Sequence, residues 1–298
     1  MKALKKPGKN LVNNLITYAI VVAAYVVCQI LIGNGSMTRS LRGQLVPICV
    51  YTIASLSLNL VVGYSGELSL GHAGFMCVGA FTGAFFSRCM ENVITVAPVR
   101  FTLAILIGAV CAGLIGLLIG MPVLRLKGDY LAIVTLAFGE IIKNIINILF
   151  TKSISTFIIP HPRHRGRIMN DGVLYINAKG DGIDSNRDLI INGAQGITGT
   201  PKDSNFIVGT ILILITLFIV LNLIKSRDGR AIMSIRDNLI AAESVGIRIT
   251  RYKLMAFSIS AALAGVAGVL YAHNLNSLMA TPKNFGYNMS ITILVFVV

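Results

Sequence analysis

Few residues in this sequence have the chemistry of a site, and they gather in three places. The first is NLVVGYSGELSLGHAGF, residues 59–75, where four glycines, Glu67, Ser69 and His72 interrupt a long apolar run. Asn59, Ser65, Glu67, Ser69 and His72 supply polar atoms that water or a polar solute can use. Each glycine lowers helix propensity by about 1 kcal/mol and lets other backbones approach closely. Two readings fit. The stretch can be a broken helix lining a wet pathway, because irregular backbone at membrane depth is tolerated where it is buried in protein or faces a cavity. Gly63, Gly66, Glu67, Ser69 and His72 are then pathway or hinge residues. Alternatively it is a plain turn between two spans, with Glu67 solvated. The residues alone leave both open.

The second place is Glu140, the deepest acid in LAIVTLAFGEIIKNIINILF. A charge in the bilayer costs about 2.5–3.5 kcal/mol on insertion scales and is by default functional. Lys143 follows three residues later on the same helical face, so a structural ion pair competes with a role in gating or solute contact. The third place is KSRDGRAIMSIRDNLIAAESVGIRITRYK, residues 225–253. Within it, DNLIAAESVG reads as a short helix starting at Asp237 and ending at Gly246. Ile240 and Ser244 share one face, and Ala241 and Val245 another. The small side chains suit docking against another protein, whereas the basic flanks would also suit an amphipathic helix lying on lipid.

No catalytic constellation is visible. G-x-x-x-x-G-K-[ST] is absent, as is H-E-x-x-H, and GYSGE is not G-x-S-x-G. No metal site is expected, since His72 has only Glu67 as a local partner. Uphill transport by such a chain needs an ion gradient or a partner ATPase.

The elements that must hold these residues are membrane helices. The chain has 298 residues, 55% hydrophobic and 13% charged, with a mean hydropathy of +0.77. A soluble domain of this length needs far more surface charge. Continuous apolar runs of roughly 20 residues, each enough to cross the bilayer, exclude a β-barrel pattern. The sequence predicts an all-α polytopic membrane protein of about eight transmembrane helices, organised as one transmembrane domain over residues 1–298. The expected spans are 11–32, 44–63, 73–88, 101–124, 130–151, 206–224 and 254–272, with an eighth begun at Asn288. That last run is about half a bilayer long, so the natural chain is expected to continue. Residues 11–32 are too long for a signal-peptide core.

The net charge of +14 sits between the apolar runs. That is the positive-inside pattern and not a nucleic-acid surface, and no tryptophan interleaves with the basic residues. Lys2, Lys5, Lys6 and Lys9 place residues 1–10 in the cytoplasm. Alternating spans then place Arg125, Lys127 and the 225–253 loop inside, and the 152–205 segment outside. The five cysteines are odd in number, lack a C-x-x-C pair and read as small apolar residues.

Four separated stretches resemble the LivM-type permeases of branched-chain amino-acid ABC importers: SLNLVVGYSGELSLGHAGFMCVGAF, RLKGDYLAIVTLAFGEIIKNIIN, NGAQGITGTP and SRDGRAIMSIRDNLIAAESVGIRITRYKLMAFSISAALAGVAGVLYAH. They cover most of residues 45–298 in the family's order. The resemblance implies a multi-pass subunit of the bacterial plasma membrane. It also implies a second, related permease, two cytoplasmic P-loop ATPases that use ATP and Mg, and an extracytoplasmic solute-binding protein. By the same resemblance, Ala241, Ala242, Glu243 and Gly246 belong to the segment that enters a groove on the ATPase. Gly193 to Pro201 belong to an outer loop facing the binding protein. Residues 160–190 look like an enlargement of that loop. Family members usually continue past the final apolar run into a further glycine-rich segment.

The expected function is therefore import of leucine, isoleucine and valine by alternating access, with ATP hydrolysed by partner subunits. Permeases for urea or short amides look similar and are the nearest alternative. A self-contained secondary transporter using Glu67 or Glu140 as a proton or cation site is a more distant one.

Overall fold

The computed structural model describes residues 9–149 apart from 36, 92 and 127, together with 173–175, 189–192 and 196–298. The basic residues Lys2, Lys5 and Lys6, Lys127, and most of the 152–195 segment with its 160–190 enlargement lie outside the described residues.

Helix α1 spans Lys9–Gly33, and α2 spans Arg39–Asn59 and runs on through a π-turn at Leu60–Tyr64. After a non-helical stretch come α3 (His72–Cys89), α4 (Ala97–Val123) and α5 (Asp129–Ile148). The second half holds α6 (Phe206–Lys225), two short helices α7 (Arg227–Asp237) and α8 (Leu239–Ser244), and α9 (Ile249–Ala272). The chain closes with α10 (Pro282–Phe285) and α11 (Tyr287–Val295).

Six of these helices are long and apolar enough to cross a membrane: 14–33, 39–64, 97–123, 130–148, 206–225 and 249–272. The expectation of about eight is not met by this measure. Helix α3 has 18 residues, but His72, Arg88 and three glycines reduce its apolar character. Helix α11 has only nine residues.

The all-α expectation also needs correcting. Strands β1 (Val173–Tyr175), β2 (Leu189–Asn192), β3 (Ile197–Thr198) and β4 (Ser277–Leu278) form a small antiparallel sheet in that order. VLY and LIIN are short runs of strand-favouring side chains. The chain leaving α9 returns to pair Leu278 with Ile197 and Ser277 with Thr198.

Helix α9 is the axis of the bundle, packed along α4, α3 and α2. What lets it sit there is visible in α4. Ala104, Gly108, Ala112, Gly116 and Gly120 all face inward, while Leu106, Val110, Leu114 and Leu118 face outward. Small residues inside and large ones outside is the membrane arrangement, in which lipid solvates bulk and backbones close on one another. The contact is tight: a Cβ on Gly79 of α3 would stand 2.3 Å from the carbonyl oxygen of Gly265 in α9. Contacts of Gly120 with Phe257, Gly116 with Ala261 and Gly108 with Val269 make α4 and α9 antiparallel.

The connections sort into two ends. The π-turn with residues 65–71, the end of α4 and the 225–253 segment share one end. At the other end, Arg100 Nη2 meets Asp203 Oδ2 at 2.9 Å, the Gly199 N–H donates to the Asn276 carbonyl, and His273 Nε2 lies 3.0 Å from Ser87 Oγ. Tyr25, late in α1, stacks on Phe206 at the start of α6 with centroids 5.4 Å apart. The N-terminal end of α1 therefore points toward the 225–253 end, in keeping with the alternation of basic clusters.

Candidate functional site

The glycine-rich segment and the 225–253 segment, 170 or so residues apart in sequence, form one site. After Tyr64 the chain leaves the helix because Gly66 has φ +72°, a region costly for a side chain with a Cβ. The turn is closed by the Ser65 N–H to Leu60 O at 3.3 Å and the Glu67 N–H to Val61 O at 3.1 Å. Two cations from the other segment hold it. Arg236, near the end of α7, donates from Nη1 to the Gly63 carbonyl. Lys253, in the first turns of α9, pairs with Glu67 Oε1. A Cβ at Gly66 would stand 2.9 Å from Cγ of Arg236, so the glycine also makes room for that arginine.

Glu67 is only 8% exposed; it is not a solvated turn residue. Burial pushes its carboxyl pKa up, and the Lys253 hydrogen bond and charge oppose that shift.

Beyond Glu67 the chain dives into the bundle. Leu70 N–H donates to Thr135 Oγ1 at 3.0 Å and Ala73 N–H to Ser290 Oγ at 3.1 Å, which fixes the start of α3 against α5 and α11. His72 is fully enclosed, with Nε2 2.9 Å from Ser57 Oγ and 3.3 Å from Ser260 Oγ. Ser57 Oγ donates to the Ala54 carbonyl at 2.7 Å, and Ser260 Oγ donates to the Ser57 carbonyl. Both hydroxyl protons are thus committed, which makes His72 Nε2 the donor to Ser57 Oγ. His72 Nδ1, Ser69 Oγ and Glu67 Oε2 are buried without a protein partner among the described residues. His72 therefore sits in the packed interior between α2, α3 and α9, and Ser69 is buried as well.

Glu140 stands apart from this turn. It pairs with Lys143, as their spacing suggested. Its second oxygen accepts the Tyr287 N–H at 2.9 Å, so the carboxylate caps the positive end of α11. Among the described residues, no group of three or more His, Cys, Asp or Glu is placed to hold a metal.

The outward part of the 225–253 segment is the α7–α8 pair. Ser226 caps α7 through Gly229 N at 3.0 Å. Asn238, one residue later than the predicted start at Asp237, caps α8 through Ile240 N and Ala241 N at 3.1 and 3.0 Å. Gly246, at φ +84°, turns the chain toward α9. Ala241, Glu243 and Gly246 are exposed, whereas Ala242 is turned inward and buried. Ile240 and Val245 project outward, 78% and 77% exposed.

Residues 41–298 match the family described as branched-chain amino acid transport system / permease component. The chain belongs to that family. It is 35% identical over 252 residues to the high-affinity branched-chain amino acid transport system permease protein LivM of Escherichia coli K12, and 34% identical to that of Salmonella typhimurium. Each alignment covers 84% of this chain and 56% of the relative, so the chain spans a little over half the length of these curated relatives. A probable LivM permease of Methanocaldococcus jannaschii is 24% identical over 260 residues, covering 75% of this chain and 64% of that protein. No solved structure matches the chain.

Within this permease family member, sequence reasoning picked out both halves of the turn-and-clamp site but not the clamp. Arg236 and Lys253 entered only as members of a basic cluster. Their partners lie 173 and 186 residues away, and no local spacing signals such a pairing. Glu67 carried the one usable hint: a buried acid needs a cation, and the basic segment was the nearest supply by topology.

Proposed function

We propose that this chain is the membrane-spanning permease subunit of an ATP-driven importer, moving branched-chain amino acids by alternating access. On this reading it is one multi-pass permease domain of the bacterial plasma membrane, with residues 1–10 cytoplasmic and 152–205 extracytoplasmic. A second, related permease completes the pathway. Two cytoplasmic P-loop ATPases bind ATP and Mg, and an extracytoplasmic binding protein delivers the solute. The chain itself catalyses nothing.

One observation carries the proposal. Residues 225–253 expose two large apolar side chains on a short capped helix, and the same segment grips the glycine turn through Arg236 and Lys253. Exposed apolar side chains beside basic ones on a surface outside the spans suit a protein partner. A push on α8 by an ATPase reaches the turn between α2 and α3 through two polar contacts. Gly63, Gly66 and Glu67 then act as the hinge, with Ser69 and His72 as the packed base on which α3 moves. Ala241, Glu243 and Gly246 border the docking face, and Ala242 supports α8 from beneath.

The test uses the importer complex in vesicles. Ile240→Asp with Val245→Asp is expected to abolish leucine uptake and binding-protein-stimulated ATP hydrolysis, while the yield and melting temperature of the isolated permease stay unchanged, because both side chains are exposed. Wild-type uptake in that variant would remove the docking assignment. Leucine uptake by this chain alone on a proton gradient would replace the importer with an ion-coupled carrier.

A further inference from the structure

Helix α4 turns one row of bulky side chains away from the bundle. Leu106, Val110, Leu114 and Leu118 are 58–65% exposed, and Met121, 45% exposed, continues the row. Steps of four and three residues keep all five on one face, over about 22 Å. Such a row is a bed for an acyl chain.

Two arginines stand at the foot of this row. Arg125 follows the end of α4 by two residues, and Arg251 is the third residue of α9. The antiparallel contacts of Gly116 with Ala261 and Gly120 with Phe257 advance equally along both helices. Continued past the end of α4, they bring Leu124 level with Lys253. Arg125 and Arg251 therefore emerge at nearly one depth on neighbouring helices, and both are exposed. Tyr130, 73% exposed near the start of α5, and Tyr252, beside Arg251, lie at the same end. Tyrosines at the ends of spans mark the headgroup layer.

The ion pairs among the described residues take up Arg88, Arg100, Lys143 and Lys253 and leave Arg125 and Arg251 without an acid. The acids of the α4–α5 connection and of residues 225–253 are Asp129, Asp228, Asp237 and Glu243, outnumbered by the basic residues around them. Unmatched guanidiniums at headgroup depth call for an anion with two accessible oxygens, which a phosphodiester supplies. A choline headgroup would bring a further cation to the pair, so a net negative headgroup is preferred. The depth also separates this pair from α8, which lies outside the spans and carries the exposed Ile240 and Val245.

We infer that α4 and α9, at the 225–253 end, form a binding surface for an anionic phospholipid: Arg125 and Arg251 hold its phosphate, and an acyl chain lies along the outer row of α4. The inference needs only that these helices cross a bilayer, and it holds whichever solute the permease carries.

The sequence contains no tryptophan, so Met121→Trp places a single emitter beside the proposed headgroup. The full chain carrying it is reconstituted in phosphatidylcholine vesicles, and quenching by dibrominated phosphatidylglycerol is compared with quenching by dibrominated phosphatidylcholine. At about fivefold per basic residue, the pair is expected to favour phosphatidylglycerol by about twentyfold to thirtyfold. Arg125→Gln with Arg251→Gln is expected to remove that preference, whereas Arg227→Gln with Arg230→Gln on α7 leaves most of it. Leu106→Trp, toward the other end of α4, is expected to show none. Equal quenching by the two lipids at Met121→Trp overturns the site. So does a preference that survives the Arg125 and Arg251 change, or that the α7 change removes equally, since the attraction then belongs to the charged surface at large. Quenching by neither lipid means that protein covers this face, a second copy of the chain included, and overturns the site as well.

Discussion

Glu67 and Lys253 show what a charge inside a membrane protein is for. An ion pair this buried gains little net stability, because desolvation offsets most of the attraction, but removing one partner strands the other. Glu67→Gln is therefore expected to destabilise the protein by about 3 kcal/mol, read as a lower melting temperature in detergent. Replacing both partners, Glu67→Leu with Lys253→Met, is expected to recover that stability. If the pair transmits motion, leucine uptake stays lost in the recovered double variant; full uptake would reduce the pair to packing. At this scale the sequence was half legible. Glu140 with Lys143 could be read from a spacing of three. Glu67 could be read as an acid out of place, but its partner required the fold. The orphaned Nδ1 of His72 and Oγ of Ser69 could not be read at all, since burial of a polar atom is a property of neighbours distant in sequence.

The helices were legible to within a few residues, because a bilayer demands long apolar runs and little else competes with that signal. What the pattern missed is what length and apolarity do not encode: the π-turn that ends α2, the division of residues 225–253 into two capped helices, and strands too short to announce themselves. The inward row of α4 carried its own message. Ala104, Gly108, Ala112, Gly116 and Gly120 recur every four residues, and that ridge is where α9 packs. Gly265 of α9 has the carbonyl oxygen of Gly108 2.8 Å from where its Cβ would be. Gly265→Val is accordingly expected to cost about 3 kcal/mol or more through overpacking. The observable is loss of a monodisperse peak after solubilisation. A stable, monodisperse Gly265→Val protein would mean that α4 and α9 are not packed as described.

For the molecule as a whole, the geometry makes a statement about sides. The start of α1, the glycine turn and residues 225–253 occupy one end; Asp203, Asn276 and the sheet occupy the other. A cysteine placed at the exposed Ser244 should react with an impermeant thiol reagent in inverted vesicles and not in intact cells, over the background of the unaltered chain. Labelling from outside intact cells would invert the assignment and detach the proposed ATPase contact. Charge distribution raises the expectation that the 225–253 end is the cytoplasmic one, since basic residues mark one face of a bilayer. The sheet and the return of the chain along α11 were not readable, because both depend on long-range pairing. Arg236 and Lys253 approach the turn from two separate points of one segment, and their grip has a mechanical consequence. A body pinned at a single point can be dragged, whereas one pinned at two is steered. On the proposed reading, displacing α7 moves the Arg236 pin while Lys253 on α9 holds the other, so the loop between α2 and α3 would swivel about the Glu67–Lys253 contact.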